Sequence, residues 1–208
     1  MLLAIDTSTA ACTAALFDRA GRCVARRDEL IGRGHAERLV PMIEELIERR
    51  CARRILVGVG PGSFTGIRVG IAAAQGLAIG WEGELSGMSS LALLACGAPS
   101  GTPVAAAMKG GHGELFVQQF EREPLSASTP LLNLPPEQAA ERISAETVVG
   151  PGAAELVEAR GWGEAIDAWP SAADALKLPD ELRALPPRPL YARAPDARAP
   201  DARAKEAA

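Results

Sequence analysis

With 208 residues and a formal net charge of −4, the chain is long enough for one large or two small domains, but it lacks the basic balance of a protein that grips nucleic acid by itself. Nearly half of its residues are apolar, yet no run approaches the roughly 20 apolar residues of a membrane span. The amino-terminal stretch has no basic segment and reaches a carboxylate at Asp6, which argues against a signal peptide. The cysteines share no C-x-x-C spacing, so reduced thiols and a cytoplasmic location are expected.

The first predicted elements are three strands that form a β-meander, at residues 2–5, 12–17 and 23–28. A polar turn made of Asp6, Thr7, Ser8 and Thr9 joins the first two strands. An acidic residue at the tip of the first strand, followed by hydroxyl residues, resembles the first phosphate loop of the actin-like ATPase fold. The alternative is a structural turn, in which Asp6 caps its own backbone amides.

A helical pattern begins at His35 and continues to residue 50. Leu39, Ile43 and Leu46 fall on one face, and glutamates occupy the other. Pro41 lies inside the pattern, which predicts either a helix that starts one residue before it or a helix that is kinked there. His35 has no second histidine or cysteine at ligand spacing, so a capping or packing role is favoured over a metal site.

A strand predicted at residues 55–59 ends at a glycine-rich loop. This loop lacks the lysine of a phosphate-cradling P-loop, since no lysine precedes Lys109. Its serine does not fit the G-x-S-x-G pattern of a nucleophile elbow, and only His35 and His112 could act as a base. The loop therefore has no nucleotide-hydrolysing or acyl-transfer signature. Its residues are Gly60, Pro61, Gly62, Ser63 and Phe64.

The helix predicted at residues 65–80 carries small residues on one side. Gly66, Gly70, Ala74 and Ala78 are four residues apart, so they form a line along the helix. Each glycine inside a helix costs about 0.5–1 kcal/mol relative to alanine, so the line needs a reason. One explanation is tight packing against the molecule's own sheet. The other is a docking surface for another subunit.

The remaining pattern divides the chain into two halves. A short strand at residues 83–87 and a helix at 91–96 complete a half-domain at residues 1–98. Strands at 103–108, 114–120, 131–134 and 147–149, with helices at 137–143 and 153–159, predict a reduced second half at 99–190. The Gly-Pro-Gly sequence at 60–62 recurs at 150–152, which is weak evidence for duplication. Residues 191–208 repeat Arg-Ala-Pro-Asp-Ala and are expected to be a disordered tail.

Four stretches together resemble the TsaB (YeaZ) family of bacterial tRNA threonylcarbamoyladenosine biosynthesis. They are LLAIDTSTAACTAAL at residues 2–16, the His-Ala-Glu and Leu-Val-Pro segments at 35–41, GPGSFTGIRVGIAAAQGLA at 60–78 and PLYARAPDAR at 189–198. The third stretch is highly specific, and the others agree with it in order and spacing. The middle of the second half matches poorly.

The resemblance implies an α/β fold of the actin-like ATPase type (ASKHA, ribonuclease H-like), with two similar half-domains of which the second is reduced. It implies a non-catalytic partner subunit that binds TsaD, with TsaE joining the pair, in threonylcarbamoylation of the adenosine beside the anticodon of tRNA. A homodimer in isolation, contact with tRNA only through the complex, no membrane association, no metal and no cofactor are expected, and residual nucleotide binding at the TsaD contact is left open. The implied contact residues are His35, Leu39, Met42, Ile43, Leu46, Thr65, Gly66, Val69, Gly70, Ala73, Ala74 and Leu77.

The chain departs from the family pattern in two places. Lys109 stands where the family often has an acidic residue before its second-half hairpin, so a polar role for the turn at residues 109–114 is in doubt. The terminal motif, usually Tyr-Leu-Arg, is Tyr191-Ala192-Arg193 here, which should weaken anchoring of the tail.

Two enzymatic alternatives remain at this point. An actin-like ATPase or small-molecule kinase would use Asp6 with Ser8 and Thr9, but the short second half argues against a complete nucleotide pocket. A peptidase is less well supported, because neither histidine lies near a serine or cysteine within a catalytic motif.

Overall fold

The computed structural model describes residues 1–99 and 101–190, and these residues form two β-sheets with helices on their faces. The predicted tail at 191–208 lies outside the described residues. The first sheet contains β1 (Leu2–Asp6), β2 (Ala11–Phe17), β3 (Cys23–Leu30), β4 (Arg54–Gly58) and β5 (Glu84–Met88), in the order β3-β2-β1-β4-β5.

The pairing of this sheet confirms the predicted β-meander. β1, β2 and β3 are antiparallel neighbours, whereas β4 and β5 run parallel to β1. Leu3 lies opposite Leu16 on one side and Ile55 on the other, and all three side chains are buried. β1 and β2 are buried along their whole length, which explains their continuous apolar runs.

Helices α1 (His35–Ile47) and α2 (Phe64–Trp81) belong to this half, followed by α3 (Ser90–Cys96). Pro41 lies inside α1, so the prediction that the helix starts just before it is wrong. Its side chain is exposed, on the solvent side of the helix, where water can satisfy the carbonyl left without a donor. α1 ends before the predicted residue 50, because Glu48 and Arg49 adopt left-handed backbone angles.

The second half repeats the same plan. β6 (Val104–Lys109) pairs antiparallel with β7 (Leu115–Arg122) and parallel with β10 (Thr147–Val149). The strand order is β11-β10-β6-β7-β8, and β9 (Leu132–Leu134) also pairs with β7. Helices α4 (Pro136–Arg142) and α5 (Ala153–Arg160) cover this sheet. The sequence did not predict β8 (Leu125–Ala127) or β11 (Glu164–Ile166), which have only three residues each.

The chain returns to the first sheet after β11. A 3-10 helix, Ala172–Lys177, is held where the amide of Ala172 donates to Thr13 Oγ1 at 2.8 Å. After the short helix α6 (Asp180–Arg183), Leu185 pairs with Gly87 and the amide of Leu190 donates to the carbonyl of Val59 at 2.8 Å. This returning segment contributes to the contact between the two halves.

Three apolar clusters define the layers. The first lies between α1, α2 and one face of the first sheet, and the third lies between α4, α5 and the second sheet. The central cluster joins the inner faces of both sheets through α3 and the 3-10 helix. The outer sides of α1 and α2 therefore lie at the surface of the first half.

Candidate functional site

The polar turn after β1 is organised around the buried carboxylate of Asp6. Its Oδ1 accepts hydrogen bonds from the amide of Ser8 at 2.8 Å and from Ser8 Oγ at 2.7 Å, and its Oδ2 accepts one from Ser90 Oγ at 2.6 Å. Burial raises the pKa of the Asp6 carboxyl above its ordinary value, because desolvation outweighs the opposing hydrogen bonds from Ser90 and Ser8. Both carboxylate oxygens are thus engaged inside the protein, as the structural-turn alternative requires.

The first turns of α2 pack against the same turn. Thr7 Oγ1 donates to the carbonyl of Gly66 at 2.7 Å, and the amide of Ser63 donates to the carbonyl of Ser8 at 2.7 Å. A Cβ at Gly66 would lie 2.1 Å from the backbone oxygen of Thr7, and a Cβ at Gly70 would lie 2.5 Å from Thr7 Oγ1. The glycines are therefore explained by packing against the protein's own turn.

The glycine-rich loop makes a similar close approach. A Cβ at Gly62 would lie 2.1 Å from the carbonyl oxygen of Ser8, and one at Gly58 would lie 1.9 Å from Asp6 Oδ2. Gly60 and Pro61 are buried, whereas Ser63 is exposed and its Oγ accepts the amide of Gly66 as the cap of α2. The loop therefore leads into α2 and caps its amino terminus.

Most of the contact residues implied by the resemblance lie in the protein's own core. On α1 the side chains of His35, Leu39, Met42, Ile43 and Leu46 are buried, and His35 Nε2 lies 3.3 Å from the carbonyl of Ala11. On α2, Gly66, Gly70 and Ala74 are buried in the same way. These positions pack against the first sheet and its turn, and their place in a partner contact stays a prediction.

The opposite sides of α1 and α2 form an exposed apolar surface, called here the α1–α2 face. Phe64, Val40 and Ile79 have 65%, 47% and 81% of their areas exposed. The Arg68 guanidinium stacks on the Phe64 ring at 3.2 Å. The exposed members of this face are Glu37, Val40, Pro41 and Glu44 on α1, and Phe64, Thr65, Arg68, Ala72, Gly76 and Ile79 on α2, with half-buried Val69, Ala73 and Leu77 beside them.

Like Gly80 in the last turn of α2, Gly76 on this face has no close neighbour that would require glycine. A Cβ at this position would meet no atom within 4 Å, in contrast to Gly66 and Gly70 on the other side of the helix. Glycine lowers the stability of a helix, and at this position no close contact within the described residues offsets that loss. Ala72 and Gly76 leave the centre of the exposed side low enough for a second helix to approach.

A cleft of about 1140 Å³ separates the two halves. Ser8, Thr9 and the first turns of α1 and α2 line one wall, and Lys109, Asp167 and Trp169 are on the other. The Lys109 ammonium is bound to the carboxylate of Glu155 at 2.6 Å, and Asp6 is not among the lining residues. Among residues 1–99 and 101–190, no group of three or more His, Cys, Asp or Glu side chains is placed to hold a metal ion.

None of the helices in the described part of the chain combines the length and apolar character needed to cross a membrane.

The chain is similar to known proteins in both sequence and structure. A family model described as "TsaD: tRNA N6-adenosine threonylcarbamoyltransferase" matches residues 28–127. The "tRNA threonylcarbamoyladenosine biosynthesis protein TsaB" of Escherichia coli (strain K12) is 38% identical over 130 residues, which is 59% of this chain and 55% of that protein. The protein of the same description from Haemophilus influenzae is also 38% identical, over 54% of its length. The aligned region thus spans little more than half of these curated relatives.

The solved structure of YeaZ from Pseudomonas aeruginosa is 32% identical to this chain and superposes with a TM-score of 0.78, covering 91% of this chain and 98% of that one. The chain belongs to the TsaB (YeaZ) family. A second solved structure, described as an uncharacterized protein with similarity to peptidase YEAZ from Pseudomonas aeruginosa, is 31% identical with a TM-score of 0.79. The two sheets and these TsaB-family neighbours confirm the predicted α/β actin-like (ASKHA) fold.

Of the contact residues implied by the resemblance, Thr65, Val69, Ala73 and Leu77 lie on the α1–α2 face, and the sequence did not single out its exposed residues Val40, Ala72, Gly76 and Ile79. A usable signal was nevertheless present. α2 carries apolar residues on its exposed side as well as on its buried side, with Arg68 as its one charged residue, which indicates a helix with packing surfaces on two sides. The line of Gly66, Gly70 and Ala74 is the more regular pattern, but it lies on the buried side of the helix, whereas Gly76 lies on the exposed side.

Gly66→Ala and Gly76→Ala should change stability in opposite directions. At Gly66 the added methyl group collides with the Thr7 backbone, so we expect a loss of about 1–3 kcal/mol in the free energy of unfolding. At Gly76 it enters open space, and the better helix propensity of alanine should add about 0.5–1 kcal/mol. Urea unfolding of both variants checks this. A Gly66→Ala variant with the same free energy of unfolding as the wild type would contradict the close packing of α2 on the turn at Thr7.

Asp6→Asn should alter the pH dependence of stability. Because the folded pKa of Asp6 is raised, the folded state binds more protons than the unfolded state between the two pKa values, so its contribution to stability falls as pH rises through that window. The asparagine variant has no titratable group at this position. Its free energy of unfolding should therefore rise relative to that of the wild type from about pH 4 upward. Urea unfolding at several pH values measures the difference. If the free energy of unfolding of the variant instead decreases relative to the wild type as pH rises, the ionised carboxylate stabilises the fold and the prediction is wrong.

Proposed function

We propose that this chain is a non-catalytic partner subunit in threonylcarbamoylation of the adenosine beside the anticodon of tRNA, and that it acts by binding a TsaD protein, with TsaE joining the pair. Membership of the TsaB family and the names of the curated relatives support this role. The observation that carries the proposal is the α1–α2 face, which remains exposed and apolar after the inner sides of both helices have packed on the sheet.

Exposed apolar area of this kind favours association. Phe64 and Ile79 stand at the two ends of α2 with most of their side chains in water, although each would gain stability by burial. Ala72 and Gly76 between them allow close approach of a partner backbone. Two helices packed on two helices of a partner would bury both ends at once.

The geometry of Asp6 supports a non-catalytic role. In an actin-like ATPase an acid at this place has to orient a metal-bound water. Here both oxygens of the buried Asp6 carboxylate already accept hydrogen bonds from Ser8 and Ser90. The cleft between the halves keeps the ATPase or small-molecule kinase as the second candidate, because it is wide and includes Arg33 and Lys109. ATP turnover by the purified chain that is abolished in Asp6→Ala would favour this candidate.

The remaining features of the role follow from charge and chemistry. A net charge of −4 favours contact with tRNA through the complex rather than by the chain alone, and a cytoplasmic location follows from that role. No cofactor is proposed for the chain itself, and nucleotide binding at the TsaD contact is a separate experimental question. A peptidase is not supported, because Ser63 Oγ is used to cap α2.

Ala72→Arg should abolish complex formation without harming the fold. Ala72 is exposed at the centre of the α1–α2 face, so a long charged side chain there blocks a partner helix but meets none of the chain's own core. We expect at least a tenfold loss of affinity for a TsaD homologue, about 1.4 kcal/mol or more, with an unchanged melting temperature. Pull-down and calorimetric titration measure the affinity, and formation of modified tRNA in a reconstituted system should fall with it.

Ala159→Arg is the matched control. Ala159 is also an exposed alanine on a helix, but it lies on α5 in the second half, away from the proposed contact. This variant should bind the TsaD homologue like the wild type. Equal binding by both variants would remove the α1–α2 face from the account.

A further inference from the structure

β3 is an open edge of the first sheet. It lies at one end of the strand order, and among residues 1–99 and 101–190 only β2 pairs with it. The amide of Ile31 donates at 3.0 Å to the carbonyl of Ala10, which lies opposite it when the register of β2 and β3 is continued. Bonded and non-bonded pairs alternate in an antiparallel ladder, so the odd-numbered residues of β3 bond to β2. The backbone N–H and C=O groups of its even-numbered residues therefore point outward, away from the sheet.

The side chains of these even-numbered residues form a row on one side of the edge. The row consists of Val24, Arg26, Asp28 and Leu30, and all four residues are exposed. In the part of the chain that the structure describes, no ion pair includes Arg26 or Asp28. Charged side chains usually keep an edge strand from pairing with another strand. Here the two charges of the row have opposite signs and neither is neutralised, so a strand with the opposite order of charges can pair with them.

The order of the four side chains is complementary to itself. Antiparallel pairing of β3 with β3 of a second copy, centred on Arg27, places Val24 opposite Leu30 and Arg26 opposite Asp28. A shift of two residues in one direction places Arg26 opposite Arg26, and a shift in the other direction places Asp28 opposite Asp28. A shift of one residue places the outward N–H and C=O groups opposite residues that are already bonded to β2. One register is therefore favoured over its neighbours.

We infer that β3 is the contact surface for a second copy of this chain, and that the two β3 strands pair antiparallel in the register centred on Arg27. The pairing is symmetric, so each favourable contact is made twice, and the five-stranded sheets of the two copies continue into one another. The outward N–H and C=O groups of both strands gain hydrogen-bond partners. Arg27 faces Arg27 of the second copy across the symmetry axis, and this is the one like-charge pair within the two strands.

This contact is separate from the α1–α2 face and does not rest on the proposed function. α1 packs over β2 and β3, whereas α2 packs over β1, β4 and β5. Ala72→Arg, which places a charge on the outer side of α2, therefore isolates association through β3 from association through the α1–α2 face. Sedimentation equilibrium of this variant over a concentration series should still show a dimer. A monomer at every concentration would overturn the inference.

Arg26→Asp and Asp28→Arg, each added to Ala72→Arg, test the register by charge reversal. The first change gives both copies an acidic row, and the second gives both copies a basic row. Each variant alone should self-associate about tenfold or more weakly than Ala72→Arg, because two opposite-charge pairs become like-charge pairs. An equal mixture pairs an acidic row with a basic row and should recover the dimer. Recovery on mixing distinguishes a broken contact from a misfolded variant.

Two further variants complete the experiment. Arg27→Gln removes the like-charge pair on the symmetry axis, so it should strengthen the dimer and gives a result of the opposite sign. Arg19→Asp is the matched control, because it makes the same charge change as Arg26→Asp at an exposed residue in the turn between β2 and β3. It should leave self-association unchanged.

Asp28→Arg also removes the carboxylate that accepts hydrogen bonds from the hydroxyls of Thr13 and Ser171, so melting curves are recorded for every variant. If Arg26→Asp dimerises as strongly as Ala72→Arg alone, β3 is not the contact. The same conclusion follows if the two folded charge variants fail to form a dimer when mixed.

Discussion

The close contact between the turn at Thr7–Ser8 and the first turns of α2 is the constraint on which the rest of the structure depends. It brings two backbones so near that glycine is required at positions 62, 66 and 70. The same turn folds around Asp6, whose carboxylate joins the end of β1 to Ser90 at the start of α3. One buried acid and three glycines thus fix α2 and α3 relative to the central strands of the first sheet. A polar sequence that suggests phosphate chemistry serves here as a structural joint.

This contact also determines which sides of α1 and α2 are exposed at the surface. Because α2 is fixed by its glycine side, its other side, from Thr65 through Ala72 to Ile79, faces solvent. α1 packs beside it and directs Leu39, Met42 and Leu46 inward, so that glutamates and Val40 are left outside. The exposed face is therefore a consequence of how the helices are seated. The buried hydrogen bonds of Asp6 and the exposed side of α2 are the two observations that support the proposed docking role.

The sequence predicted the strands of the first sheet and the long helices well, since their patterns of burial are strong and local. β8, β11 and the returning segment after Trp169 were missed, because they are short and depend on contacts distant in sequence such as Ala172 with Thr13. The glycine line was recognised, but the spacing of Gly66 and Gly70 defines only a common side and does not show what lies against it. Only the position of Thr7 decides that. The exposure of Gly76 likewise follows from the orientation of α2, which the one-dimensional pattern does not contain.

Hydroxyl-radical footprinting of the chain, alone and bound to a TsaD homologue, tests the central claim most directly. Phe64 and Ile79 are 65% and 81% exposed on the α1–α2 face, and Trp162 in the second half is 47% exposed and serves as an internal reference. The account predicts that oxidation of Phe64 and Ile79 falls several-fold in the complex while oxidation of Trp162 is unchanged. Protection of Trp162 with undiminished oxidation of Phe64 and Ile79 would contradict it and place the contact on the second half.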